Sequence, residues 1–426
     1  LKNHLFAITQ AWSIKRNLRT LFFRENDRWA FLDGYRAIGI FWVILGHCAI
    51  FTQAHFGMSR WADLVSHTPV YFQWVFNGDV AVDGFFMVSG FLMSNILMKN
   101  YQEHNTLNIK IFYISRFLRL TPAYFFALFI YITFTNTDGI NIWPNFFYIQ
   151  NFFNDYDAYL MPFTWSLAVE EQFYLLLPAY LIFVLIKTKH PFLHISALLA
   201  VSLLIRALVI LNDEVFRNQS IKGIIFNEEH FAHYFVLLYD NLYTRFGAFI
   251  GGIAVAYAYR FRHAESVAFL KTHLARYITV SAMLLALSLC FLPVLMHGFE
   301  LPQWINICLN IGRSTIVCLC ASWLLFCGLF NSPLARRFNK SMSFKFFYPF
   351  GHLLYSMYLF HYIAVAFVMR NMNYNFKLFN IDYMANIEAW IFLAAILSIL
   401  CATLIAIFTY LFIEAPIMNL RPKLSS

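Results

Sequence analysis

Charged residues are scarce in this sequence. Asp, Glu, Lys and Arg fill 12% of 426 positions, about half their share in a soluble globular domain, which excludes an ordinary soluble enzyme or binding module. Cysteine is also sparse. The seven (Cys48, Cys290, Cys308, Cys318, Cys320, Cys327, Cys401) are odd in number, lie in or beside apolar runs and form no CxxC pair. They read as small buried apolar residues, not as disulfides or metal ligands, and no metal is expected. There is no internal repeat, no low-complexity linker and no polar run long enough for a second folded domain. One integral domain over residues 31–420 is expected, between an arm (1–30) and a short tail (421–426). No apolar leader with a small-residue cleavage site opens the chain. Lys15, Arg16, Arg19, Arg24 and Arg28 interrupt it, so the arm reads as a basic juxtamembrane or interfacial segment.

What the sequence has instead is apolar mass: 60% hydrophobic residues, with 50 Phe and 24 Tyr. Runs of roughly 17 to 25 mostly apolar residues recur near 37–55, 80–98, 120–135, 166–186, 194–211, 243–259, 277–296, 304–330, 349–369 and 388–413. The fold class is therefore an all-α polytopic membrane protein with about ten transmembrane helices. The segment NIWPNFFYIQNFFNDY (141–156) is aromatic but broken by Pro144 and repeated Asn, which suits the outer interface or a re-entrant turn. The outside loop 212–242 is long enough to cap the outer face.

The excess of basic residues, with a pI near 9.1, says little about nucleic acid, because membrane proteins collect Lys and Arg in cytoplasmic loops. Alternate loops carry twenty-two of them, from the N-terminal arm to Arg421 and Lys423. The opposite loops hold only Arg60, Arg217, Lys222, Arg370 and Lys377, and Arg36, Arg206, Arg245 and Arg313 lie in or beside the spans. Both termini are expected in the cytoplasm.

Ionisable groups inside such spans are costly and usually line a protein interior or a wet cavity. In DGYRAIGIFWVILGH (33–47), about 100° and 1.5 Å per residue put Arg36 and His47 within about 20° on one face and about 16 Å apart, with Asp33 on the same side. A snorkelling Arg and a hydrogen-bonded core His would also explain them. In TWSLAVEEQFYLLLP (164–178), Ser166, Glu170 and Tyr174 are spaced by four in a polar stripe, with Glu171 about 100° away; the adjacent carboxylates serve a site, or one of them pairs with Arg245. In VDGFFMVSGFLMSN (82–95), Gly84 and Gly90 admit close backbone approach and Ser89 offers a hydroxyl, although helix packing alone accounts for small residues. GHLLYSMYLFHY (351–362) puts Tyr358 and His361 on one face, with His361 near the level of His47. ISRFLRLTP (114–122) brings Arg116 and Arg119 to the cytoplasmic mouth of the third span, where guanidiniums can clamp phosphates or merely obey topology. By depth these form two layers. Asp33, Arg36, Arg116, Arg119 and Glu414 gather at the cytoplasmic side, and His47, Ser89, Glu170, Tyr174 and His361 lie from the middle outward. That arrangement suits an anionic cytoplasmic donor and an acceptor across the membrane.

The same residues carry a resemblance. LDGYRAIGIFWVILGH, DGFFMVSGFL, ISRFLRLTP, WSLAVEEQFYLLLP, YTRFGAFIGG, LYSMYLFHY and FIEAP occur in this order, and over roughly residues 30–420 the sequence resembles the integral-membrane acyltransferase-3 family. The resemblance implies transfer of an acyl group, usually acetyl from cytoplasmic acetyl-CoA, to a hydroxyl of an extracytoplasmic carbohydrate or glycolipid, in a bacterial inner membrane. It makes His47 the catalytic base or acyl relay, with Glu170 as its catalytic companion on the acceptor side. Arg36, Arg116 and Arg119 would contact the CoA phosphates, Asp33 would orient Arg36, and Ser89 and Gly90 would shape the thioester channel. Trp165, Ser166, Tyr174, Arg245, Tyr358 and His361 would serve the acceptor side or support the site. Three features depart from the usual pattern: the arm is long, no fused SGNH-type esterase domain is expected, and Thr244 stands where many relatives place an acid before the Arg. A proton-coupled transporter is the rival reading, since carriers also use intramembrane His, Glu and Arg; the missing repeat symmetry and the basic mouth count against it.

Overall fold

The computed structural model describes residues 10–24, 29–153, 160–378 and 387–422. Lys2, Arg28, Lys423 and the end of the aromatic segment (154–156) fall outside them. In hydrocarbon every backbone polar group must be satisfied within the chain, which a helix does locally. The described residues are accordingly helical, without strands. In chain order the principal helices are α1 (Ile14–Phe22), α2 (Phe31–Phe56), α3 (Met58–His67), α4 (Asp79–His104), α5 (Ile109–Phe134), α6 (Trp165–Tyr180), α7 (Pro191–Asn212), α8 (Gly247–Phe261), α9 (His273–Cys290), α10 (Gln303–Leu329), α11 (Pro333–Met342), α12 (Phe347–Leu378) and α13 (Ile387–Thr409). Local chemistry sets their ends. Ser13, Asn108 and Thr272 accept bonds from the first-turn amides of α1, α5 and α9, and Asn105 and Asn331 take left-handed backbone just after α4 and α10.

Nine helical stretches among the described residues are long and apolar enough to cross a membrane. The apolar run near 243–259 differs from expectation. The chain forms a short turn at Leu242–Arg245 and then α8, of 15 residues, which at about 1.5 Å per residue is shorter than a hydrocarbon core of about 30 Å. All seven thiols are free of disulfides, as expected, although Cys308 is exposed instead of buried.

The chain divides into two compact units, the first made of the described residues of Leu1–Cys48, Asn100–Asn136 and Ala335–Ser426 and the second of those of Ala49–Lys99 and Thr137–Leu334. In the first, α12 packs along α13, while α1 and α5 lie against α12. Gly34 makes the approach of α2 to α11 possible, because a Cβ there would strike the Met342 backbone. α13 runs on through a π-helical turn, Tyr410–Glu414, into Ala415–Leu420; Pro416 offers no amide to continue the regular bonding.

In the second unit, α8 and α9 pack on α10, and α7 packs on both α8 and α10. The expected close approach at Gly90 is present: a Cβ there would meet the Phe249 carbonyl, and one on Gly252 would meet the Met87 carbonyl. The loop 212–242 folds into short helices with a small core of its own, Phe216, Ile224 and Leu238 against Ile210 of α7.

Candidate active site

α2 runs unbroken from Phe31 to Phe56, so the interval from Arg36 to His47, which lies in the first unit, is helical throughout. The rings of His47 and His361 are in contact, with centroids 4.7 Å apart at 71°. Tyr362 and Tyr358 flank them, the first 6.0 Å from His47 and the second 5.3 Å from His361. His47 Nδ1 lies 2.9 Å from the Val43 carbonyl, and His361 Nδ1 lies 2.6 Å from the Tyr358 carbonyl. A carbonyl only accepts, so in each neutral ring the proton is on Nδ1 and the lone pair on Nε2. Tyr358 and His361 thus keep company with His47, near whose level the sequence placed His361.

Toward the start of α2 the charges are arranged differently from expectation. Asp33 pairs with Arg24, whose Nη2 lies 2.9 Å from Oδ2, while Arg36 acts on Asp33 through its field. Arg24 also donates to the Ser343 carbonyl at 3.0 Å and covers the Tyr348 ring at 5.1 Å. Tyr348 in turn meets His352, centroids 4.4 Å apart, and the fields of Arg36, Arg119 and Arg24 all reach that imidazole. Arg119 further acts on Glu414, which is buried and accepts a hydrogen bond from Ser356. Arg116, one turn before Arg119, is buried. Arg24 and His352 were missed from the sequence: Arg24 counted only as topological charge, although its position just ahead of the first span was a usable signal.

The second unit holds the other expected residues. Ser89 donates to Glu170 Oε1 at 2.5 Å, Tyr174 donates to the same oxygen, and the two hydroxyls are 2.6 Å apart. Ser89 therefore keeps company with Glu170 and Tyr174, and the lack of a side chain at Gly90 is accounted for by packing. Ser166 donates to the Phe163 carbonyl, closing the turn before α6. Glu170 does not pair with Arg245. Arg245 Nη1 lies 2.9 Å from Asp83 Oδ1, with both side chains buried, and Nε donates to the Tyr239 carbonyl at 2.7 Å. The rings of Tyr239 and Trp165 lie 4.2 and 5.4 Å from the guanidinium. The acid missing at Thr244 is thus supplied from α4. Arg313 pairs with Asp79 at 3.0 Å, and Arg206 donates to the Ile311, Thr244 and Asn310 carbonyls. Among the described residues no group of three His, Cys, Asp or Glu is placed to hold a metal.

The sequence pattern of the acyltransferase-3 family, described as an acyltransferase domain, matches residues 29–411. The chain belongs to the acyltransferase-3 family. Its curated relatives include O-acetyltransferase OatA of Staphylococcus aureus, 27% identical over 411 residues, which cover 91% of this chain and 56% of that protein. Peptidoglycan O-acetyltransferase OatA of Listeria monocytogenes is 34% identical over 152 residues, 31% of this chain and 24% of that protein. The chain thus spans from about a quarter to just over half the length of these relatives. No solved structure matches it. The chain is an integral membrane protein of this family, and its α2 and α12 bring His47 and His361 together.

Proposed function

We propose that this protein is a membrane O-acyltransferase that moves an acyl group, acetyl in the first instance, from cytoplasmic acyl-CoA to a hydroxyl of an extracytoplasmic carbohydrate or glycolipid. Both termini would then lie in the cytoplasm, and the membrane would be the bacterial plasma membrane. The observation that carries this reading is the placement of His47 Nδ1 against the Val43 carbonyl. Its Nδ1 proton is held by the Val43 carbonyl, which leaves Nε2 as a base at mid-helix, on the same helix that presents Asp33 and Arg36 to the Arg24, Arg119 and His352 cluster.

A sugar hydroxyl is a poor nucleophile until its proton is removed. In the direct mechanism, His47 Nε2 takes the hydroxyl proton as the oxygen attacks the thioester carbonyl. The carbon–sulfur bond then breaks, and the imidazolium returns the proton to the departing CoA thiolate. As a relay, Nε2 would itself carry the acyl group between donor and acceptor. Arg36, Arg119 and Arg116 would bind the CoA phosphates, for which guanidiniums are geometrically suited. Glu170, already accepting from Ser89 and Tyr174, would orient acceptor hydroxyls. Arg245 and Trp165, engaged with Asp83 and Tyr239, would support the acceptor side structurally.

The transporter reading would recruit the intramembrane arginines as mobile charge, yet Arg206, Arg245 and Arg313 are each tied to carbonyls or carboxylates. The test is reconstituted full-length protein with labelled acetyl-CoA and a bacterial membrane extract, wild type beside His47→Ala. Label must reach glycan or lipid in the wild type and not in the variant. Equal labelling in both rejects the mechanism, and acyl-CoA-independent substrate uptake favours the carrier.

A further inference from the structure

Two short helices of the first unit have faces that the membrane-spanning architecture does not use. On α1, Asn17 and Leu21 are buried. At about 100° per residue Phe22, Lys15, Arg19 and Arg16 then follow one another within an arc about 120° wide on the opposite side, and all four are exposed. On α11 the same reckoning puts Arg336, Lys340 and Arg337 within an arc of about 100°, opposite Ala335. All three are exposed and Ala335 is buried. Neither helix contains an acid, nor does the described chain from 10 to 24 or from 335 to 346.

Large apolar side chains border these cations and are exposed too: Trp12 at 44%, Phe23 at 67% and Phe344 at 65% lie just beyond the helix ends, and Phe338 at 53% lies on the side of α11 next to Ala335. A surface for a soluble acidic partner has no use for such rings. Position decides the occupant. α11 is followed within a few residues by the span that starts at Phe347, α1 precedes the span that starts at Phe31, and Tyr348 fastens the two regions by donating to the Thr20 carbonyl at 2.9 Å. The cations and the neighbouring rings are thereby held at the mouths of two membrane spans, the depth at which rings enter the headgroup layer and cations meet lipid phosphates.

We infer that α1 and α11 together form an interfacial platform that binds anionic phospholipid headgroups of the membrane the chain itself spans. This inference stands whether or not the acyl-transfer reading does. It is tested by amide hydrogen exchange on the full chain in nanodiscs of phosphatidylcholine alone or with about 30% phosphatidylglycerol, at low and high salt. Exchange over residues 12–23 and 336–346 should slow about threefold or more with the anionic lipid, and the difference should vanish near 1 M salt, where the Debye length is only about 3 Å. In K15Q/R16Q/R19Q the slowing should be lost over 12–23 while the helices near His47 exchange as before. Equal exchange of the wild-type chain in the two lipids overturns the inference. Protection that rises with the number of chains per disc, not with lipid charge, assigns the face to a second copy and overturns it as well.

Discussion

The imidazoles of His47 and His361 meet edge to face, 4.7 Å between centroids, and both direct Nδ1 at a carbonyl of their own helix. Two neighbouring rings locked in one tautomer present two lone pairs, and only one is needed as a base. His47→Ala is therefore expected to lower acetyl transfer by roughly 100- to 10,000-fold, the usual contribution of a positioned base. His361→Phe, which keeps a ring against His47, should lower it far less. If His361→Phe is as damaging as His47→Ala, the two act as a unit and the assignment to His47 alone is wrong.

Glu170 is expected to act on the acceptor, so Glu170→Gln should slow transfer while leaving acyl-CoA binding unchanged. Ser89→Ala and Tyr174→Phe each delete one hydrogen bond to the same oxygen, worth roughly 1 kcal/mol, and should raise the acceptor KM by several-fold. Equilibrium binding of acyl-CoA alongside steady-state kinetics separates the two steps. A parallel loss of acyl-CoA binding would move Glu170 to the donor side.

Asp83 and Arg245 are a buried ion pair. Removing one partner strands the other, and Asp83→Ala or Arg245→Ala should each destabilise by roughly 3–5 kcal/mol, whereas replacing both by apolar side chains of similar volume should recover much of the loss. Thermal unfolding in detergent would show this as two low melting temperatures and a third near wild type. Single variants that melt like wild type would mean that this pair does not hold the second unit together.

Arg24 holds Asp33 and roofs Tyr348. Arg24→Ala should weaken acyl-CoA binding by about tenfold, on the scale of a lost charge-assisted bond, and Arg24→Lys should restore only part of it because a point charge cannot engage Asp33 and the Ser343 carbonyl in the same fork. Asp33→Ala should not add to Arg24→Ala in the double variant. Full additivity, read by calorimetry, would show that the two act separately.

The spans were legible because a helix that meets hydrocarbon must be apolar along its length, and that leaves a mark in a single sequence. The apolar run around Arg245 misled for the same reason: hydropathy does not register that the helix breaks after Arg245 and restarts at Gly247. His47 and His361 could be placed at one depth by counting along their own spans. Pairings between helices were not legible. Nothing local to Asp33 distinguishes Arg24 from Arg36 as its partner, and Glu170 was as plausible a partner for Arg245 as Asp83, because which faces meet is decided by packing such as that at Gly90 and Gly252. Ser89 shows the same limit. Its hydroxyl was placed in one depth layer with Glu170 and Tyr174, but that all three share one carboxylate oxygen was not legible.

The ion pairs of the second unit also bear on how the protein is made. Asp83 waits for an arginine 162 residues later and Asp79 for one 234 residues later. At synthesis rates of about 5–20 residues per second, these acids leave the ribosome on the order of ten to fifty seconds before their partners. During that interval α4 lacks the two arginines that it pairs with in the folded chain, so its final seating comes only after α10 has emerged. The folded-state partners of both acids are therefore complete only once α10 has been made.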